Sequence, residues 1–163
     1  KFENFILSVA VINKYEIPIL LKTIPIDMDL EINVSCPNID KNLNDIGIEK
    51  FINRYRRYCI LKVSPLSEYS LIDHYYKKGF RQFHCCNTVP VKEGGLSGPA
   101  ITKYTEKLTA YIKENYSDTT VICGGGIQSN KDIVNYKLVG GDHFALSSVI
   151  FSPYKFLKLL FEL

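Results

Sequence analysis

The chain has no excess of either charge, no run of about 18 apolar residues, no paired CxxC spacing and no common spacing among its histidines. Each absence closes a class. Lys and Arg number 20 against 17 Asp and Glu, for a net charge of +3 with both signs interspersed, so no basic face argues for nucleic acid. The local run Arg54-Tyr55-Arg56-Arg57 reads as the solvated face of a helix. No segment is apolar enough to span a bilayer as a helix, and the amino end lacks a signal-peptide pattern, which points to a cytoplasmic protein that is not bound to a membrane. Five cysteines, an odd number, sit mostly at apolar strand positions and read as free thiols in a reducing compartment, with no metal site. Nothing has a disordered composition. With 163 residues, 46% of them hydrophobic, the chain can bury a core as a single domain, residues 1–163. It starts at Lys1 and not at a methionine, which suggests a piece of something longer.

What is present is organised around Glu31-Ile32-Asn33-Val34-Ser35-Cys36-Pro37-Asn38. Ile32 and Val34 alternate with polar neighbours as in a half-buried strand, and Pro37 removes a backbone donor and stops it. Two carboxamides, a hydroxyl and a thiol therefore gather where a strand opens into a loop. Two readings stand at this level: a catalytic cluster presented by a rigid sheet, or an Asx turn closed by proline.

Upstream, Phe5 to Val11 is an apolar run compatible with a helix, and Ile17 to Leu21 is a more strand-like run with Pro18 near its start. The link from Thr23 to Leu30 is too short for a parallel crossover, so these two runs are not expected to form an ordinary strand-helix-strand unit. Downstream the pattern is regular. Ile48, Phe51, Ile52 and Tyr55 predict an amphipathic helix, and Cys59 to Val63 a buried strand ended by Ser64-Pro65. Leu71, Ile72 and Tyr75 predict a helix closed by Gly79, and Phe80 to Cys86 a strand ending at Asn87-Thr88. Val91 to Gly98 is a glycine-rich loop, followed by a helix carrying Ile101, Tyr104, Leu108, Tyr111 and Ile112. Thr120 to Cys123 is a strand running into Gly124-Gly125-Gly126. Next come a helix capped by Ser129 or Asn130 and closed by Gly140-Gly141, a strand from His143 to Leu146 ending at Ser147-Ser148, and a helix from Pro153 to Leu160. Strands alternating with helices, with polar residues at one end of every strand, predict an α/β fold of the (β/α)8 barrel type. A doubly wound open sheet is the rival.

Several positions could carry chemistry. Gly124-Gly125-Gly126 before a helix leaves backbone N–H groups uncovered at the positive end of a helix dipole, which suits a phosphate, and Ser147-Ser148 adds hydroxyls from the next strand. Glycines also serve tight turns, so the run has a structural reading as well. Lys62 lies inside an apolar strand, where a bare ammonium is costly, and must reach an anion, the pocket at the strand end, or solvent by snorkelling. Asn87-Thr88 fits a turn start. Cys59, Cys85, Cys86 and Cys123 read as small core hydrophobes, whereas Cys36 is surrounded by polar groups.

Taken together, Asn33-Val34-Ser35-Cys36-Pro37-Asn38, Lys62-Val63-Ser64-Pro65, Asn87-Thr88, Gly94-Gly95-Leu96-Ser97-Gly98-Pro99-Ala100, Cys123 to Ile127 and Ser147-Ser148 resemble, in order, dihydroorotate dehydrogenases. The match runs from Glu31 to about Phe151, and residues 1–30 match poorly. The resemblance implies a (β/α)8 barrel, incomplete at the amino end, that holds FMN at the carboxyl ends of its strands. It also implies oxidation of dihydroorotate to orotate in pyrimidine biosynthesis. Cys36 would be the general base, and Lys62 would sit by the flavin as a fixed cation. Asn33, Asn38, Asn87 and Thr88 would hold the substrate. Asn33, Lys62, Cys86, Gly98, Gly125, Gly126, Ser147 and Ser148 would contact FMN. Cysteine at position 36 is similar to the soluble class 1 enzymes. A homodimer or an electron-acceptor partner would fit this reading. The family's early lysine and asparagine have no counterpart before Glu31, which puts activity of this chain alone in question. Two alternatives stand beside it: a degenerate partial barrel that binds flavin or phosphate without catalysis, and a related flavin enzyme acting on another pyrimidine.

Overall fold

The computed structural model describes residues 5–34, 47–86, 88–92 and 94–162. The elements follow the chain as β1 (Leu7–Ala10), α1 (Glu16–Thr23), β2 (Leu30–Asn33), β3 (Cys59–Val63), α2 (Tyr69–Lys77), β4 (Gln82–Cys85), β5 (Val89–Val91), β6 (Gly94–Leu96), α3 (Thr102–Asn115), β7 (Thr120–Gly124), α4 (Asn130–Leu138), β8 (His143–Ala145) and α5 (Pro153–Glu162). Single 3-10 turns occupy Ile48–Phe51, Pro99–Ile101 and Ser148–Phe151. Strands β5 and β6 form a separate antiparallel hairpin.

The main sheet is parallel throughout, in the order β1-β2-β3-β4-β7-β8. Each of its strands lies beside the next one in sequence, and the order never reverses. A doubly wound sheet must reverse at a switch point, so this is the order of a (β/α)8-type barrel, with six of its strands among the described residues.

Alternation along the strands separates two faces. Leu30, Ile32, Leu61, Val63, Phe83, Cys85, Val121 and Cys123 are fully buried against the helices and form one core with Ile72, Tyr75, Ile112 and Tyr136. The opposite, concave face carries Ser8, Glu31, Lys62 and His84. Ser8, Glu31, Ile60, His84, Ile122 and Ala145 line a cavity of about 240 Å³ on that side. Neighbouring strands lie about 4.8 Å apart, yet Glu31 of β2 reaches His84 of β4 across β3, which is expected of a sheet that curls inward.

Helices α2 to α5 lie where hydrophobic spacing predicts them, and Gly79 closes α2 at φ +109°. The first thirty residues do not. The run at Phe5 to Val11 gives a strand and the run at Ile17 to Leu21 gives a helix, the reverse of the expectation. Pro18 falls in the first turn of α1, where no backbone donor is needed, and the Glu16 carboxylate accepts from the Ile12 N–H (2.9 Å) and Asn13 Nδ2 (3.0 Å) to start the helix. Helix α1 is therefore the crossover of an ordinary parallel unit, with Leu7 paired to Leu30. The helix expected over Ile48 to Tyr55 is only the turn Ile48–Phe51. Asn53 Oδ1 accepts from the N–H groups of Tyr55 and Arg56, and this Asx turn breaks the helix after Ile52. Arg56 is buried rather than solvated: its guanidinium donates to the Phe51 and Met28 carbonyls. The glycine-rich segment at Val91 to Gly98 supplies the hairpin, with Gly95 packed so closely that a Cβ there would meet Thr88 Oγ1 at 3.0 Å.

Candidate active site

The carboxyl ends of the strands open on one side of the sheet. Asn33, Lys62 and His84 are register partners on β2, β3 and β4, so their side chains project from the same face at the same level. Lys62 reaches an anion, Glu31: Nζ donates to Oε1 at 3.2 Å. The same oxygen accepts from Ser8 Oγ at 2.8 Å, and the other, Oε2, lies 2.6 Å from His84 Nδ1. Burial works against the Glu31 charge, but the His84 ring, the Lys62 ammonium and the Ser8 hydroxyl outweigh it and hold the carboxyl down at about 2. A carboxylate receiving three donors from three other strands is thus a fixed charge on the concave face.

Next to it, the glycine run reverses the chain. Gly125 and Gly126 both take positive φ, at 83° and 78°. The Gly124 carbonyl accepts from Thr105 Oγ1 (2.9 Å) and from the Cys86 N–H (3.3 Å), and the Gly125 carbonyl accepts from the Tyr136 hydroxyl (2.6 Å). Both carbonyls are held by named partners. A Cβ at Gly124 would overlap the His84 ring, and one at Gly126 would overlap Thr102 Oγ1 and lie 3.1 Å from the Gly98 carbonyl. Glycine at 126 therefore lets the β7 loop touch the loop before α3. Gln128 Nε2 donates to Ser148 Oγ at 3.4 Å, tying the same loop to the end of β8. Ser147 leads into the 3-10 turn without spending its hydroxyl on a cap.

The structure brings together Asn33, Lys62, Cys86, Gly98, Gly125, Gly126, Ser147 and Ser148 at one end of the sheet, with Thr88 at the foot of the hairpin. Cys36, Asn38 and Asn87 lie outside the described residues. One part of the expected phosphate seat changes. Helix α4 begins at Asn130, and Asp132 Oδ2 accepts from the N–H groups of Gln128 (3.0 Å) and Ser129 (2.9 Å), so its amino terminus is closed by its own carboxylate. Glycine N–H groups and serine hydroxyls remain as the donors for an anion. Their chemistry fits a phosphate group, and Gly98, where a Cβ would meet nothing within 4 Å, leaves its side of the site clear. Burial raises the Cys59 and Cys123 thiols to about 11, and its hydrogen bond to Cys86, with burial, raises Cys85 well above the ordinary thiol range. These three are core groups, not nucleophiles.

Sequence reasoning missed Glu31 and His84 as site residues. The signal was position: Glu31 lies two residues before Asn33 on the same face of β2, and His84 is the register partner of Lys62 on β4.

No protein-family model matches the chain. Among curated proteins, the catalytic subunit of dihydroorotate dehydrogenase B (NAD(+)) from Oceanobacillus iheyensis is 25% identical over 164 residues, covering 84% of this chain and 54% of that protein. The same subunit from Thermotoga maritima is 26% identical over 142 residues, 75% of this chain and 53% of that protein. The chain resembles dihydroorotate dehydrogenases. It spans about half the length of these relatives. The dihydroorotate dehydrogenase of Eimeria tenella, solved in complex with ferulenol, superposes with a TM-score of 0.73 at 18% identity, over 98% of this chain and 57% of that one, a likeness of fold. A phosphoribosyl imidazole-4-carboxamide isomerase from Caldicellulosiruptor saccharolyticus is 33% identical over 100 residues, 58% of this chain and 39% of that protein. The likeness to dihydroorotate dehydrogenases thus covers more of the chain, and that to the isomerase is narrower. Among the described residues no helix is long and apolar enough to cross a membrane, and no group of three or more His, Cys, Asp or Glu side chains is arranged to hold a metal.

Proposed function

We propose that this chain is part of a cytoplasmic, FMN-dependent barrel that oxidises dihydroorotate to orotate. The observation that carries the reading is the convergence of the Lys62 ammonium with the glycine and serine loops at one strand end, in a chain similar to dihydroorotate dehydrogenases. FMN, when bound, supplies the hydride acceptor. Cys36 takes the proton from the substrate carbon beside the carbonyl. Lys62 places a positive charge where negative charge develops, which is worth most in a site closed to water. Asn33, Asn38, Asn87 and Thr88 orient the substrate through its ring polar atoms, and Gly125, Gly126, Ser147 and Ser148 hold the phosphate. The partner that accepts electrons, in this reading, docks as a separate protein or small molecule.

A second reading is favoured by the relative named for a substrate with two phosphoribosyl groups: a barrel that binds a phosphate ligand without flavin chemistry. Titration of the purified protein with FMN, followed by orotate, separates the two. Quenching of FMN fluorescence and a spectral change on adding orotate are expected. Gly126→Asp sets a carboxylate against the phosphate and overlaps Thr102, and should weaken FMN at least about tenfold while circular dichroism still reports a folded chain. A folded parent that binds inorganic phosphate or ribose phosphate but neither FMN nor orotate would replace the first reading with the second.

A further inference from the structure

We propose that Glu31 is a positioning residue for Lys62: it clamps the ammonium from beneath the strand end, and Ser8 and His84 lock the carboxylate in turn. This rests on the flavin reading for its consequence, though not for its geometry. A lysine side chain has four rotatable bonds and three donors, so on a strand facing a cavity it would sample many directions. Here the carboxylate is on the adjacent strand, two residues before Lys62's register partner Asn33, and takes Nζ at 3.2 Å. Both side chains are mostly buried, at 18% and 12% exposure, so the pair is poorly screened by solvent.

The carboxylate itself cannot swing away. Oε1 is shared between Lys62 on β3 and Ser8 on β1, and Oε2 is held by His84 on β4, so three other strands fix its orientation. Gly124 makes room for the His84 ring, which packs against its backbone where any side chain would overlap it. The chain of contacts therefore links the β7 glycine run to the Lys62 ammonium through His84 and Glu31. The lowered Glu31 carboxyl keeps the clamp charged throughout the neutral range.

The test has two arms. In FMN-free protein, acetic anhydride labelling followed by mass spectrometry reads the exposure and freedom of Lys62, with Lys113, paired to Asp142 at 2.8 Å, as the reference in the same molecule. Glu31→Gln should label Lys62 roughly threefold faster or more while Lys113 stays at the parent rate, because the amide keeps the shape but not the charge. Glu31→Asp, which keeps the charge one methylene farther back, should fall between. Equal Lys62 labelling in parent and both variants would overturn the proposal. If Glu31→Gln does not fold, the Asp variant alone decides this arm. In the second arm FMN affinity is measured for Glu31→Gln, Lys62→Met and the double variant. A residue acting through Lys62 gives an effect in the parent that disappears in the Lys62→Met background. An undiminished effect there would mean that Glu31 acts directly or through the fold, and would overturn the proposal. A parent that binds no FMN would defeat the flavin reading and leave the labelling arm to decide the clamp.

Discussion

The two faces of the sheet are built from the same strands and obey opposite rules. On the helix side, Leu61 and Phe83 belong to the apolar core, and their contribution scales with the area and volume they fill. On the concave side, Glu31, Lys62 and His84 are also mostly shielded from water, but each depends on a named partner. The helix side tolerates exchange of shape for shape. The concave side tolerates little exchange of charge, because removing one partner strands the others. One face thus supplies stability and the other a fixed electrostatic pattern at the mouth of the barrel.

The comparison can be broken most severely on the helix side. Phe83→Ala should cost about 3 to 5 kcal/mol in urea unfolding, since Phe83 is 0% exposed and leaves a cavity the surrounding strands cannot close. Any folded fraction should keep parental Lys62 labelling, which separates the faces.

Acid sharpens the contrast. The Glu31 carboxyl is lowered from 4.5 to about 2, so its contribution is fully present above pH 4.5 and is lost as the pH falls towards 2. Urea midpoints of the parent should therefore drop across that window, and Glu31→Gln should show a flatter profile there with a lower midpoint at pH 7.

Two smaller effects lie at the edges. Gly98→Ala should cost on the order of 1 to 2 kcal/mol in thermal unfolding, because φ is +83° although no atom stands within 4 Å of the added carbon. Asp73 accepts the hydroxyls of Tyr111 and Tyr116, both at 2.6 Å, on the helix surface. Asp73→Asn should change stability by less than about 1 kcal/mol, because water replaces much of what is lost there. A cost like that of the acid effect would show that the helix surface shares the concave side's dependence on charge.

The elements most legible in the sequence are those whose apolar spacing is unbroken: α2, α3, β3, β4 and β7. Where local side-chain hydrogen bonds compete with spacing, reading fails. Glu16 converts a proline-containing run into a helix, and Asn53 ends one after a single turn. Residues that sit in family-like motifs, such as Lys62, Gly98 and Ser148, could be singled out in advance as candidates, and they lie at the same end of the sheet. Glu31 and His84 could not, because their pairing spans two strand intervals and exists only once the sheet has curled. The dipole expected to aid a phosphate was misread for a related reason. Asp132 lies three residues inside the capping pattern, and its carboxylate is aimed by the cap and not by spacing.

The unbroken strand order has a kinetic consequence. Each main-sheet pairing closes a loop of roughly 20 to 40 residues, from Leu7 with Leu30 to Ile122 with His143, so no contact in the ladder waits on a distant part of the chain. Structure can then accrete in sequence order, each strand docking on one already laid down. The Glu31 clamp is completed only when β4 arrives, and so the charged network locks a sheet that apolar packing has already begun to assemble.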